Sequence, residues 1–259
     1  MQSVQFRLEQ NNLALQKRSL TDEVSEILHR RIITGEYPPG EWLRQNDIAA
    51  QLDVSPTPVR EALDRLVSDG LAERIPYRGV RVPELANEEI VDALVLRVLL
   101  EVAAVRLAAC NISQQQLHAL YDILEQTRNL TTLDDMSKHR QLNRALHLTI
   151  ANAGGSPLMD RFYEMASNKF PDWMLYESMF HQVELLESAL AREFKEHRAL
   201  VDALASHDAD LAERRAIEHM KSLGNELIAL IGIPVALLEE RLRQVGPLLC
   251  TMYQQSGNS

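Results

Sequence analysis

The stretch Asp53–Leu66, DVSPTPVREALDRL, constrains this chain more than any other. Pro56 and Pro58 stand directly before an amphipathic run in which Val59, Ala62, Leu63 and Leu66 recur at helical spacing. Proline is cheap in a helix only within the first turn, where backbone N–H groups have no intrahelical partner anyway. The pattern therefore predicts a helix opening at Pro56, with Ser55 as its N-cap and the Ser55 hydroxyl accepting from a free backbone N–H. Such a start is stiff, and it presents Ser55, Thr57 and Arg60 at an exposed front. Gly70 marks the stop.

The flanks extend the pattern. Ser19 and Asp22 have capping-box spacing, and Val24, Ile27, Leu28 and Ile32 follow at helical period up to Gly35. A turn at YPPG (37–40) leads to a short helix with Ile48, Ala49 and Leu52 on its apolar side. After Gly70, LAERIPYRGVRV (71–82) reads as two short strands around a turn containing Pro76 and Gly79. Helix, short helix, tight turn, helix and hairpin form the order of a winged helix-turn-helix. In that motif the second helix of the pair enters the major groove by its N-terminal end. Ser55, Thr57 and Arg60 would then meet base edges and phosphates, and the wing would bring Arg78 and Gly79 to the backbone or minor groove.

From Asn87 onward the strand signals stop. Apolar periodicity predicts helices over 88–109, 113–130, 133–152, 157–180, 182–205, 209–230 and 234–247, an antiparallel bundle with short joins. The fold class expected is mainly α: an N-terminal winged helix-turn-helix followed by an all-helical bundle. The organisation expected is a mobile arm at 1–16, the DNA-binding unit at 17–82, a linker at 83–87, a helical domain at 88–230, and a C-terminal extension at 231–259.

Charge divides along the same line. The formal net charge is −10, which alone argues against a nucleic-acid partner. Yet residues 1–82 hold 11 basic and 12 acidic side chains, against 16 and 25 in the remainder. The first third can carry a local basic face, and the rest is repelled by phosphate. No long apolar run suggests a membrane span, the N-terminus lacks a signal pattern, and Cys110 and Cys250 make no disulfide framework. A cytoplasmic setting is expected.

The run NDIAAQLDVSPTPVREALDRLVSDGLAERIPYRGVRV (46–82) resembles the DNA-binding half of GntR-family transcription regulators. The helical remainder is similar to the FCD ligand-binding domain of that family's FadR-like branch, with LRVLLE (96–101) and NRALH (143–147) at the expected places. The resemblance implies a repressor-type regulator; Arg44, a basic residue near the reading run, is a further candidate DNA contact beside Arg60. One departure stands out: the family usually carries Arg between the Ser and Thr of the reading run, and here that place is Pro56.

The resemblance also implies a metal site. The family places one Asp or Asn and three His in order on the bundle, and the matching residues are Asn143, His147, His197 and His219. Asn143 and His147 lie four apart, on one helical face. Three imidazoles suit a divalent transition ion, zinc or nickel foremost. With Asn where many relatives have Asp, every protein ligand is neutral. The ion is then expected to be held less tightly and to draw an anionic effector, a small organic acid. Arg97 is the candidate second anchor for that effector; pairing with Glu101 at i,i+4 is the structural alternative. His29, His118, His139, His181 and His207 read as solvent or helix-end residues, and Phe162, Tyr163, Trp173 and Tyr176 as packing, some of it around the effector pocket.

One winged module buries too little for operator specificity, so a homodimer on a pseudo-palindromic duplex DNA operator is expected, with the linker 83–87 passing on the effector's state. The competing reading is a metal-dependent hydrolase. Against it, His147 is followed by Leu-Thr-Ile-Ala with no glutamate placed as a base, and no phosphate loop or nucleophile elbow occurs.

Overall fold

The computed structural model describes residues 19–132 and 135–244. The expected mobile arm and the end of the C-terminal extension lie outside the described residues. In the first unit, α1 (Leu20–Ile33), α2 (Gln45–Leu52) and α3 (Pro56–Ser68) are followed by β1 (Glu73–Ile75) and β2 (Gly79–Arg81). The Ser19 box forms as its spacing predicts: Asp22 N–H donates to Ser19 Oγ, and Asp22 Oδ2 accepts from Ser19 N–H. The joint between α2 and α3 is tight because Asp53 closes α2 in the left-handed region, at φ 53°. The strands pair antiparallel in the register Glu73↔Arg81, Arg74↔Val80 and Ile75↔Gly79, and Trp42 adds one bridge to Arg81. Tyr77, at φ 63°, turns the tip, whereas Gly79 begins β2 at φ 120°; the turn predicted to contain Gly79 therefore ends one residue earlier.

The body comprises α4 (Asn87–Asn111), α5 (Gln114–Thr127), α6 (Met136–Ala153), α7 (Pro157–Lys169), α8 (Asp172–His181), α9 (Val183–Ala205) and α10 (Ala209–Glu226). A π-helical turn, Leu227–Ile231, and α11 (Val235–Gln244) follow. The long α4 runs through the bundle and packs on α6, α7, α9, α10 and α11. The extension is part of the body: Ile233, Leu238 and Leu242 are buried, and Arg241 pairs with Asp92 of α4 at 3.0 Å.

Two predicted helices change. The span read as one helix over 157–180 is two, because Phe170 takes an extended backbone before Pro171, as a residue preceding proline prefers, and proline cannot continue the ladder. The helix predicted over 209–230 ends at Glu226; the chain widens into the π turn and stops at Gly232 with φ 79°.

Head and body share one buried cluster, running from Val24, Leu28 and Ile32 through Val80 and Val82 into Ile90, Leu94, Phe170, Trp173 and Leu190. Polar and close contacts also cross the seam. His29, expected at the surface, is buried and hydrogen-bonds Ser137. Arg140 donates to the Asp69 carbonyl at 2.8 Å and to Asp172 Oδ1 at 2.8 Å. Gly70, at φ 74°, lies so close to the Asn168 carbonyl that a β-carbon there would fall inside the oxygen's contact radius.

Burial, and secondarily the Arg140 charge, pushes His29 from an ordinary 6.5 down to about 3. Between those values the unfolded chain takes a proton that the folded chain refuses, so this contribution is complete above about pH 6.5 and falls as pH drops. We expect His29→Gln to flatten the loss of stability between pH 7 and pH 5, by up to about 1.4 kcal/mol per pH unit, when urea midpoints are followed. An unchanged slope would assign the acid sensitivity to other groups.

Candidate nucleic-acid interface and metal centre

Ser55, Thr57 and Arg60 are exposed at the leading end of α3, with Val59, Ala62, Leu63 and Leu66 buried behind them. Ser55 occupies the N-cap position, but its hydroxyl makes no capping bond, contrary to the expectation. With Pro56 and Pro58 supplying no N–H in the first turn, few donors remain for it to cap. The hydroxyl is left exposed. Gln45 Nε2 donates instead to the Pro56 carbonyl at 3.0 Å, tying α2 to the start of α3.

Between α3 and the wing lies a groove of about 420 Å³, lined by Arg44, Arg60, Arg74, Arg78 and Trp42 among others. A head with nearly balanced charge becomes basic there through selective pairing. Arg65 pairs with Asp22 at 2.5 Å, Arg81 with Glu73 at 2.6 Å, and Arg74 with Asp64. Arg44 and Arg60 make no ion pair among the described residues, and Arg78 stacks over the Trp42 ring at 5.1 Å. Gly79 brings the wing backbone beside the same ring, 3.9 Å from where a β-carbon would stand. Trp42 was not singled out in the sequence. It is half-buried, props Arg78 and lies within 6.0 Å of Arg81, and no periodicity marks it.

In the body, α6, α9 and α10 each deliver one buried histidine to a common point. One ring nitrogen from each of His147, His197 and His219 lies within 4.8 Å of the others. His197 Nε2 and His219 Nε2 are 3.3 Å apart, and the ring centroids are 4.5–5.2 Å apart. Two rings are held from behind: His147 Nδ1 lies 2.9 Å from Glu101 Oε1, and His219 Nδ1 lies 2.9 Å from Glu196 Oε2. Those bonds fix the tautomers and aim both Nε2 atoms at the centre. His147 Nε2 and Asn143 Oδ1 are buried without a hydrogen-bond partner. Orphaned acceptors beside converging imidazoles fit a divalent ion well.

Electrostatics keeps two of the rings, His147 and His197, neutral. Burial lowers His147 against the pull of Glu101, and burial together with its two histidine neighbours lowers His197 much further. Burial would raise the Glu101 carboxyl, but His147, Arg97 and Tyr163 outweigh it and hold it ionised. The pair is therefore a neutral imidazole donating to a carboxylate. This amends the charge argument drawn from Asn143, since Glu101 and Glu196 supply negative charge one bond behind the ligands.

Arg97 is buried, with its guanidinium 5.2 Å over the Phe170 ring and its Nε unpartnered. Glu101 commits its oxygens to His147 and Tyr163, so the i,i+4 alternative reduces to an electrostatic attraction. Arg97, Asn143, Asp172, Tyr176, Glu193 and His219 line one small cavity of about 40 Å³. His139 is also buried, against expectation: it hydrogen-bonds Tyr176 at 3.1 Å and approaches Glu193 at 3.8 Å. Glu101, Glu196 and Tyr163 were not read as site residues, although Glu101 closes the LRVLLE motif and Glu196 directly precedes His197.

Both units of the chain match known protein families. Residues 20–82 match the bacterial regulatory proteins of the gntR family, and residues 92–222 match the FCD domain. The chain is 30% identical over 217 residues to a probable D-xylose utilization operon transcriptional repressor of Paenarthrobacter nicotinovorans, covering 80% of this chain and 88% of that one. It is 31% identical over 196 residues to the HTH-type transcriptional regulator McbR of Escherichia coli K12, covering 74% and 85%. The solved structure of E. coli McbR/YncC superposes with a TM-score of 0.60 at 27% identity, over 82% of this chain and 98% of that chain. The hydrolase reading falls with these matches, since the relatives are regulators and not enzymes. The chain belongs to the gntR family of bacterial regulators and is a DNA-binding transcription regulator with an FCD domain.

Proposed function

We propose that this regulator is a cytoplasmic homodimeric repressor whose helical domain holds a divalent ion, zinc or nickel, and responds to a small organic-acid anion. The observation that carries the reading is the convergence of three buried imidazoles, two braced by carboxylates, around the unpartnered His147 Nε2. His147, His197 and His219 with Asn143 would hold the ion. The ion would supply a positive, coordinating centre for an oxygen anion. Arg97, on the wall of the same cavity, would take the anion's second oxygen or second carboxylate.

Ser55, Thr57 and Arg60 are proposed to read one major groove, with Arg44 on phosphate and Arg78 and Gly79 carrying the wing's contact. With Pro56 in the place of the family's usual arginine, Arg60 becomes the main charged reader at that end of α3. Dimerisation is supported by an apolar face on two packed helices: Leu96, Leu99 and Leu107 of α4 and Leu158, Phe162 and Met165 of α7 are all exposed. Their spacings put each trio on one side of its helix, a surface that a second copy would cover.

In a gel shift with the gene's own upstream DNA, Arg60→Ala should weaken binding by on the order of 10–100-fold while the circular dichroism spectrum is retained. Unaltered affinity would remove Arg60 from the interface. Glu101→Gln should lower zinc affinity by about 10–100-fold in isothermal titration; equal affinity would show that the bracing carboxylate does not act on the ion. Phe162→Glu should convert the protein to a monomer in sedimentation velocity, and a persisting dimer would place the interface elsewhere.

A further inference from the structure

The break between α7 and α8 joins the sensing cavity to the reading helix. The segment 168–172, which spans the break, touches both. On the body side, Phe170 is fully buried beneath the Arg97 guanidinium, and Asp172 lines the cavity beside Arg97, Asn143 and His219. On the head side, the Asn168 carbonyl lies against Gly70, the residue after the C-cap of α3. Arg140 closes the circuit. It is 3% exposed, it donates through Nε to Asp172 Oδ1 at 2.8 Å, and its terminal nitrogen reaches both Asp172 Oδ1 at 2.7 Å and the Asp69 carbonyl at 2.8 Å. Asp69 is the C-cap of α3, where free carbonyls and the negative end of the helix dipole favour a cation. The body thus supplies the charged cap of the recognition helix.

We infer that residues 168–172, held by Arg140, transmit the state of the sensing cavity to the recognition helix, in addition to the covalent linker at 83–87. This role for the segment rests on the effector reading above. The cavity, at about 40 Å³, has room for only a few waters, so an organic anion enters only by displacing its walls. An anion drawn to Arg97 sits beside the Asp172 carboxylate, and like charges in a buried site repel strongly. Either Arg97 leaves Phe170 or Asp172 leaves Arg140. Both movements act on the short segment that also carries the Asn168 carbonyl against Gly70. Packed seams of this kind switch between discrete arrangements, because close-packed contacts do not stretch. The effector then binds the arrangement in which Arg140 no longer caps α3, and the reading front loses its fixed placement.

Hydrogen exchange on the full-length protein tests this without knowing the effector. Lysine in Arg140→Lys keeps the charge but cannot bridge Asp172 and the Asp69 carbonyl as a planar fork. The amides of 69–72 should exchange on the order of tenfold faster in that variant, while those of 104–109 in α4 are unaffected. Coupling is reciprocal, so the gene's upstream DNA, added to the wild type, should slow exchange at 168–174 as well as at 55–61. That remote protection should vanish in Arg140→Lys and in Asp172→Asn, the second variant guarding against a misfolded first. Unchanged exchange at 69–72, or DNA protection confined to 55–61, overturns the inference. A separate zinc titration of the wild type decides the metal reading by itself: absence of binding there removes the ion and leaves the seam result standing.

Discussion

One buried carboxylate organises the body. Glu101 is 1% exposed, and its oxygens meet His147 of α6 and Tyr163 of α7 while Arg97 one turn earlier lends it positive charge. Three helices are therefore keyed to each other by a single ionised group in a medium that penalises ionisation. Such an arrangement persists only if every partner is present, since an uncompensated buried charge costs about 3–5 kcal/mol. The histidine point, the Arg97 wall and the α4–α7 packing all inherit their placement from it. In this chain the convergence of the three histidines is a consequence of that polar network.

The head solves a different electrostatic problem. An acidic protein has to approach a polyanion, and it does so without a surplus of basic residues. Its acids are spent on particular arginines: Asp22 on Arg65, Asp64 on Arg74 and Glu73 on Arg81. Arg44, Arg60 and Arg78 are left facing the groove between α3 and the wing, and Trp42 stiffens one of them. Net charge is a poor guide here because phosphate senses the local field, within about 10 Å at moderate salt.

What could be read from the sequence follows from how local each signal is. The proline-started α3 and the Ser19 capping box depend on residues within one turn, so Ser19 and Ser55 announce their helices directly. The histidine trio was legible only through the likeness to FCD domains, because three positions spread over 72 residues have no spacing rule of their own. Glu101 and Glu196 were hidden for the same reason, as each acts across helices. The α7–α8 break was visible in principle at Pro171, but the apolar residues on either side continue a helical period and mask it. Burial of His29 and His139 was not legible at all. A histidine's surroundings are set by elements more than 30 residues away, Ser137 for the first and Tyr176 for the second.

The continuous buried cluster beneath head and body bears on how such regulators can be recombined. Val24, Leu28 and Ile32 of the first helix pack into the same interior as Phe170, Trp173 and Leu190. A chimera that joins this head to another sensing body at the linker would cut through a shared interior and strand apolar surface on both pieces. Exchanging bodies in this architecture therefore means carrying the shared interior across together with the module that is moved.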